Sequence, residues 1–199
     1  MTTDFDSELV IGLVSAVGTE TTLITELLKE RLNLAGYNVI SMKVSEEVIP
    51  TLCTVPDHGS CQFMRISNLM DAGNRAREAS GKCEILALGA ASMIFAKRDK
   101  ENDQSKPSPK TAYIINSLKR PEEVAQLRRI YPHGFVLIGV HADESRRLVH
   151  LQTDRGMSED QARSLIARDS DETNVVHGQR VNKTFHLADF FVRISSRPC

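Results

Sequence analysis

The segment that most constrains this chain is a strand, a tight loop and a helix packed into its first 35 residues. Leu9 to Val14 (LVIGLV) is an unbroken apolar run of strand length, the pattern of a strand buried on both faces. Thr22 to Ala35 places Ile24, Leu27, Leu28, Leu32 and Ala35 on one helical face. Between them lies Ser15-Ala16-Val17-Gly18-Thr19-Glu20-Thr21-Thr22. That loop has the position and length of G-x-x-x-x-G-K-[ST], whose backbone N–H groups cradle phosphates at a helix N-terminus. Laid on that pattern, Ser15 takes the first glycine, Glu20 the second, Thr21 the lysine and Thr22 the metal-holding hydroxyl. Gly18 is an additional glycine inside the loop. Backbone N–H groups and the helix dipole hold an anion without a lysine. Phosphoryl transfer also wants the lysine charge, and a carboxylate at Glu20 repels phosphate unless it points away.

The rest of the composition narrows the setting. A chain of 199 residues, 41% hydrophobic and with a net charge of -1, fits one globular domain over 1–199 with no basic excess for nucleic acid. No apolar run approaches the roughly 20 residues of a membrane helix, and the acidic N-terminus MTTDFDSE is unlike a signal peptide. Cys53, Cys61, Cys83 and Cys199 lack pairing or metal-site spacing, as expected of free thiols in the cytoplasm. His141-Ala142-Asp143-Glu144 looks like the H-A-E of zinc deaminases, but that site also needs P-C-x-x-C downstream. The only cysteine after His141 is Cys199. No zinc or other metal site is therefore expected within this chain, and His141 reads as the end of a buried strand. No G-x-S-x-G turn supports a nucleophile triad.

Beyond the first helix, elements alternate as in a parallel sheet covered by helices. Strands are expected at Tyr37 to Val44, Ala112 to Asn116, Phe135 to Val140 and Phe190 to Ile194. Helices are expected at Arg65 to Ser80, Pro121 to Tyr131, Asp143 to Leu151 and Ser158 to Arg168, the last opened by a capping box of Ser158 and Gln161. Ile85 to Phe95 is apolar throughout and reads mainly as helix. Residues 51–64 read as a loop, and the polar stretch 97–110 as a mobile one.

Arg146, Arg147, Arg155, Arg163 and Arg168 crowd the second half. Guanidinium groups grip phosphate oxygens in pairs, so Arg146, Arg147, Arg163 and Arg168 are candidates for a lid over a bound phosphate. The alternative is a solvated helix face with Asp160, Asp169 and Glu172 as partners.

Four segments together carry a resemblance: IGLVSAVGTETT (11–22), RISNLMDAGNRAR (65–77), AYIINSLKRPEEVAQLRRIYPHGFVLIGVHA (112–142) and ARDSDE…GQRVNKTFHLADFFV (167–192). Within them Ser117 to Val124 (SLKRPEEV) and Leu187 to Phe191 (LADFF) are the most specific. The set resembles the N-terminal kinase-like half of the two-part bacterial anti-phage deoxycytidylate deaminases. That resemblance implies a three-layer α/β P-loop kinase-like fold and a hydroxyl residue, here Thr21, in place of the loop lysine. It implies a regulatory role beside a zinc deaminase domain acting on dCMP or dCTP, in some members under control of a small RNA. The deaminase itself would lie outside these residues, so the chain is expected to be a piece of a longer protein or a stand-alone relative. More distantly the pattern is similar to deoxynucleoside monophosphate kinases and dephospho-CoA kinases. By position in that fold, Arg65, Asp71, Asn74 and Arg77 would line an acceptor site.

The expected function is thus a nucleotide-binding regulatory domain without phosphoryl transfer. Its rivals are an active deoxynucleotide kinase using Arg146 or Arg163 as substitute cation, and an interaction module docking a deaminase or a small RNA. If a cofactor binds, it is a nucleoside triphosphate with Mg2+. A homo-oligomer is compatible with each reading, and no membrane partner is expected.

Overall fold

A computed structural model describes residues 7–98, 104–170 and 177–195. Its centre is β1 (Leu9–Ser15), in which Val10, Leu13 and Val14 are fully buried. β1 is central in a five-stranded sheet ordered β2-β3-β1-β4-β5, with β2 Asn38–Lys43, β3 Thr111–Leu118, β4 Phe135–Ala142 and β5 Phe190–Ile194. Every strand pair is parallel. A parallel sheet needs crossover helices on both faces, and that cover is why Leu9 to Val14 of β1 and Ala112 to Ile115 of β3 are continuous apolar runs.

On one face Ile11, Leu13, Ile114 and Ile138 pack against α1 (Thr21–Leu34) through Ile24, Leu28 and Leu32. On the other, Val10, Val14, Tyr113 and Leu137 meet α3 (Gln62–Ser80), α4 (Ile85–Lys97) and α5 (Pro121–Ile130). Each fully buried aliphatic side chain stabilises by about 1.5–3 kcal/mol. Gly12 lies where β1 is most crowded: a Cβ there would meet Leu118 Cδ1 at 2.9 Å and Phe135 Cζ at 3.0 Å. A third apolar cluster lies beside the sheet. Leu151 of α6 (Glu144–Thr153) and Ala162, Leu165 and Ile166 of α7 (Glu159–Ser170) pack on Met70 of α3, with Met157 between the two helices and Val17 against the group.

Several expectations need correction. Leu27 is 44% exposed, because the buried stripe of α1 runs through Ile24, Leu28 and Leu32 in steps of four. The expected loop at 51–64 is shorter: residues 53–61 hold no helix or strand, while a π-helical turn at Val44–Val48 leads into a short α2 (Ile49–Leu52) that covers its start, and α3 begins at Gln62 rather than Arg65. A short α8 (Val181–Phe185) precedes β5. Asp169 is fully buried rather than on a solvated face. His141 lies at the end of β4 as expected, one residue before its last, yet it is exposed, 3.3 Å from Asp143. Residues 99–103 of the polar stretch, Glu172 and Cys199 lie outside the described residues. The Ser158–Gln161 capping box is present, with bonds of 3.0 and 3.2 Å. No single described helix is long and apolar enough to cross a membrane.

One buried ion pair ties two of the covering helices together. Arg77 of α3 and Glu123 of α5 are each 2% exposed and meet at 2.7 Å. The other Glu123 oxygen accepts the backbone N–H groups of Lys119, at 2.8 Å, and Arg120, at 3.2 Å, which ends β3 and starts α5 in one contact. Removing one partner of such a pair strands the other charge in the interior. Glu123→Ala is expected to cost about 3–5 kcal/mol, read as a lowered midpoint of denaturant unfolding at unchanged slope.

Candidate functional site

The chain leaves β1 at Ser15, which sits opposite Val140 of β4, while Val14 sits opposite Leu118 of β3. The connections leaving β1 and β3 run to opposite faces of the sheet, α1 packing in one apolar cluster and α5 in the other, which opens a crevice at the carboxyl ends of these central strands. A cleft of about 420 Å³ lies there. All eight residues of the loop Ser15 to Thr22 line it. Facing the loop is an apolar wall of Ile49, Ile66, Leu69, Met70 and Leu86. Positive charge comes from Lys43, Arg65, Arg77, Lys119 and Arg155, and negative charge from Glu20 and Glu46. The volume and the mix of an apolar wall with a few polar groups suit a small-molecule ligand.

The loop is a compact turn. The Thr19 N–H donates to the Ala16 carbonyl at 3.1 Å, and the Thr21 N–H to the Thr19 carbonyl at 2.8 Å. Gly18 sits at φ +82°, and a Cβ there would meet the Arg147 carbonyl oxygen at 2.9 Å. Only glycine satisfies both conditions.

Distant elements then hold the turn in place. Arg147 donates to the Val17 carbonyl at 3.2 Å, and Arg146 donates to the Glu20 carboxylate at 2.7 Å. The Val17 N–H donates to Asp169 Oδ2 at 2.6 Å. Lys119 Nζ donates to the Ser15 carbonyl and to Asp169 Oδ1, both at 2.9 Å. The amide of Asn116 donates to Thr21 Oγ1 at 2.9 Å. The Thr19 hydroxyl is buried without a hydrogen-bond partner among the described residues.

The candidate residues therefore part company. The loop itself, Arg65 and Arg77 line the cleft; Asp71, Asn74, Arg146, Arg147, Arg163 and Arg168 do not. Arg146 and Arg147 brace the loop from α6. Arg163 is exposed and pairs with Glu159 one turn earlier, whereas Arg168 reaches Asp71 of α3 at 2.6 Å. Asn74 accepts from Arg77 at 3.3 Å, and Arg77 is committed to Glu123. Arg65 donates to Glu46 at 2.6 Å on the opposite lip. Among the described residues no cluster of three or more His, Cys, Asp or Glu side chains is arranged to hold a metal.

Sequence reasoning missed Lys119, Asn116 and the part played by Asp169. Lys119 belongs to the segment 117–124, one residue past the end of β3. Knowing that β3 flanks β1 would have pointed to it, because side chains beyond the carboxyl ends of central strands face the crevice.

The fold is shared with solved structures. The protein TT1252 from Thermus thermophilus superposes with a TM-score of 0.54 over 96% of this chain and 91% of its own, at 9% identity. The shikimate kinase from Bacteroides thetaiotaomicron superposes with a TM-score of 0.50 over 93% of this chain and 85% of its own, also at 9% identity. No family model matches the chain, and no curated protein matches it in sequence. The fold class is three-layer α/β, P-loop kinase-like, as expected.

Gly18→Ala tests the bracing of the loop. The substitution is expected to destabilise the chain by about 1–3 kcal/mol through backbone strain and to push α6 from the loop. A thermal melt reads the first effect. Faster amide exchange at Val17 and Arg147 reads the second.

Proposed function

We propose that the cleft binds a nucleoside phosphate and that the chain is the nucleotide-binding, regulatory part of a deoxycytidylate deaminase system, without phosphoryl transfer of its own. The observation that carries binding is the strand–loop–helix turn that lines the cleft from Ser15 to Thr22, opposite an apolar wall able to take a base. The loop amides and the start of α1 offer partial positive charge to an anion. Thr22, exposed on the cleft, is the residue that would hold a Mg2+ accompanying a triphosphate. The deaminase connection rests on the resemblance of 11–22, 65–77, 112–142 and 167–192, with a deaminase domain or a small RNA as the partner that reads the nucleotide state.

Several features weigh against transfer. Thr21 stands at the lysine position with its hydroxyl tied to Asn116. Arg146, named above as a substitute cation, is neutralised by Glu20, and Arg163 lies away from the cleft. A transferring phosphoryl group needs cations free to follow its developing charge. A kinase remains the second reading because Lys119 sits against the first residue of the loop.

Calorimetry of the chain with Mg2+ and dCTP, dCMP or ATP is expected to show saturable binding, while a coupled assay for ADP stays at background. ADP formation that depends on Thr22 would replace this reading with the kinase. Thr21→Lys is expected to fold, losing about 0.5–1.5 kcal/mol with the Asn116 bond, and to gain no transfer. Transfer from labelled ATP to a dNMP at about 1–100 per second would contradict that.

A further inference from the structure

We propose that Lys119 is the cation that contacts the ligand's phosphate, delivered to the β1–α1 loop from the turn between β3 and α5. This rests on the reading of the cleft as a nucleoside-phosphate site. The loop has no lysine of its own, and its carboxylate, Glu20, is already matched by Arg146. A side-chain cation to add to the loop amides comes from elsewhere in the cleft.

Lys119 meets that requirement by position. Its ammonium is fixed at the first residue of the loop by the Ser15 carbonyl, at 2.9 Å. It lines the cleft, with 19% of its side chain exposed. An ammonium has three donors. Two go to Ser15 and Asp169, and no third partner is present among the described residues. The other cations of the cleft are less suited. Arg77 is locked to Glu123 in the interior, and Arg65 and Lys43 both pair with Glu46. Arg155 lies beyond the end of α6, exposed on the turn before α7.

Asp169 explains how Lys119 is held without a bound ligand. Its carboxylate is fully buried and takes the Val17 N–H on one oxygen and Lys119 on the other. That arrangement places an anion between a loop amide and a lysine, the same two kinds of donor a phosphate would use. Asp169 therefore positions Lys119 and also offsets part of its charge.

Two substitutions separate the two side chains. Asp169→Asn keeps the shape and an acceptor for Val17, while Lys119→Met combined with Asp169→Asn removes the ammonium without burying a lone carboxylate. Calorimetry uses tripolyphosphate, which has no base, alongside dCTP with Mg2+. The double variant is expected to bind tripolyphosphate about tenfold or more weakly than Asp169→Asn, the loss typical of a charge-assisted bond. Equal affinity of the two variants would overturn the role of Lys119 while leaving the cleft reading intact. No binding of dCTP, ATP or tripolyphosphate by the wild type would overturn both. A second measurement needs no variant: amine-reactive labelling of the wild type followed by mass spectrometry. Tripolyphosphate is expected to slow modification of Lys119 and leave that of Lys97, outside the cleft, unchanged. Unslowed labelling of Lys119 in saturated protein would overturn the inference.

Discussion

A single buried carboxylate, Asp169, joins three parts of the chain beside the cleft. It takes the Val17 N–H of the loop after β1 and the Lys119 ammonium from the turn after β3, and it does so from α7. A buried carboxylate is tolerated only when such partners satisfy it. The loop conformation, the placement of Lys119 and the docking of α7 are consequently one arrangement, and a change in any of them reaches the other two.

The same logic recasts the second half of the chain. An arginine-rich pair of helices following a phosphate-type loop invites comparison with a closing lid. Here α6 and α7 are packed through their own apolar cluster of Leu151, Ala162, Leu165 and Ile166 onto Val17 and Met70. Their arginines engage protein groups: Arg147 the Val17 carbonyl, Arg146 the Glu20 carboxylate, Arg168 the Asp71 carboxylate. Such a cover stabilises one loop geometry.

Legibility in the sequence followed the range of the interactions. β1, β3 and β4 stood out because burial on both faces leaves continuous apolar runs, and α5 because proline and two glutamates open it. The turns at Val44–Leu52 and Val181–Phe185 are too short to show a helical period. Leu27 was misassigned because apolar content alone does not say which of two adjacent leucines the sheet covers. The loop from Ser15 to Thr22 was readable because its residues are contiguous. Asp169 lies 152 residues from Val17 and Lys119 lies 104 residues from Ser15, so only the sheet order brings them together. Arg146 and Arg168 read as phosphate ligands for a related reason, since the carboxylates that occupy them are equally far away in sequence.

The central claim is that a phosphate binds at the β1–α1 loop although the loop carries no lysine. Hydrogen–deuterium exchange of the whole chain, with and without saturating Mg2+ and dCTP, tests it most directly. Slowed exchange in the peptides spanning Ser15–Leu23 and Ser117–Arg120, with the amino ends of β2 and β3 unchanged, is the predicted result. Protection elsewhere with no change at Ser15–Leu23 would contradict it.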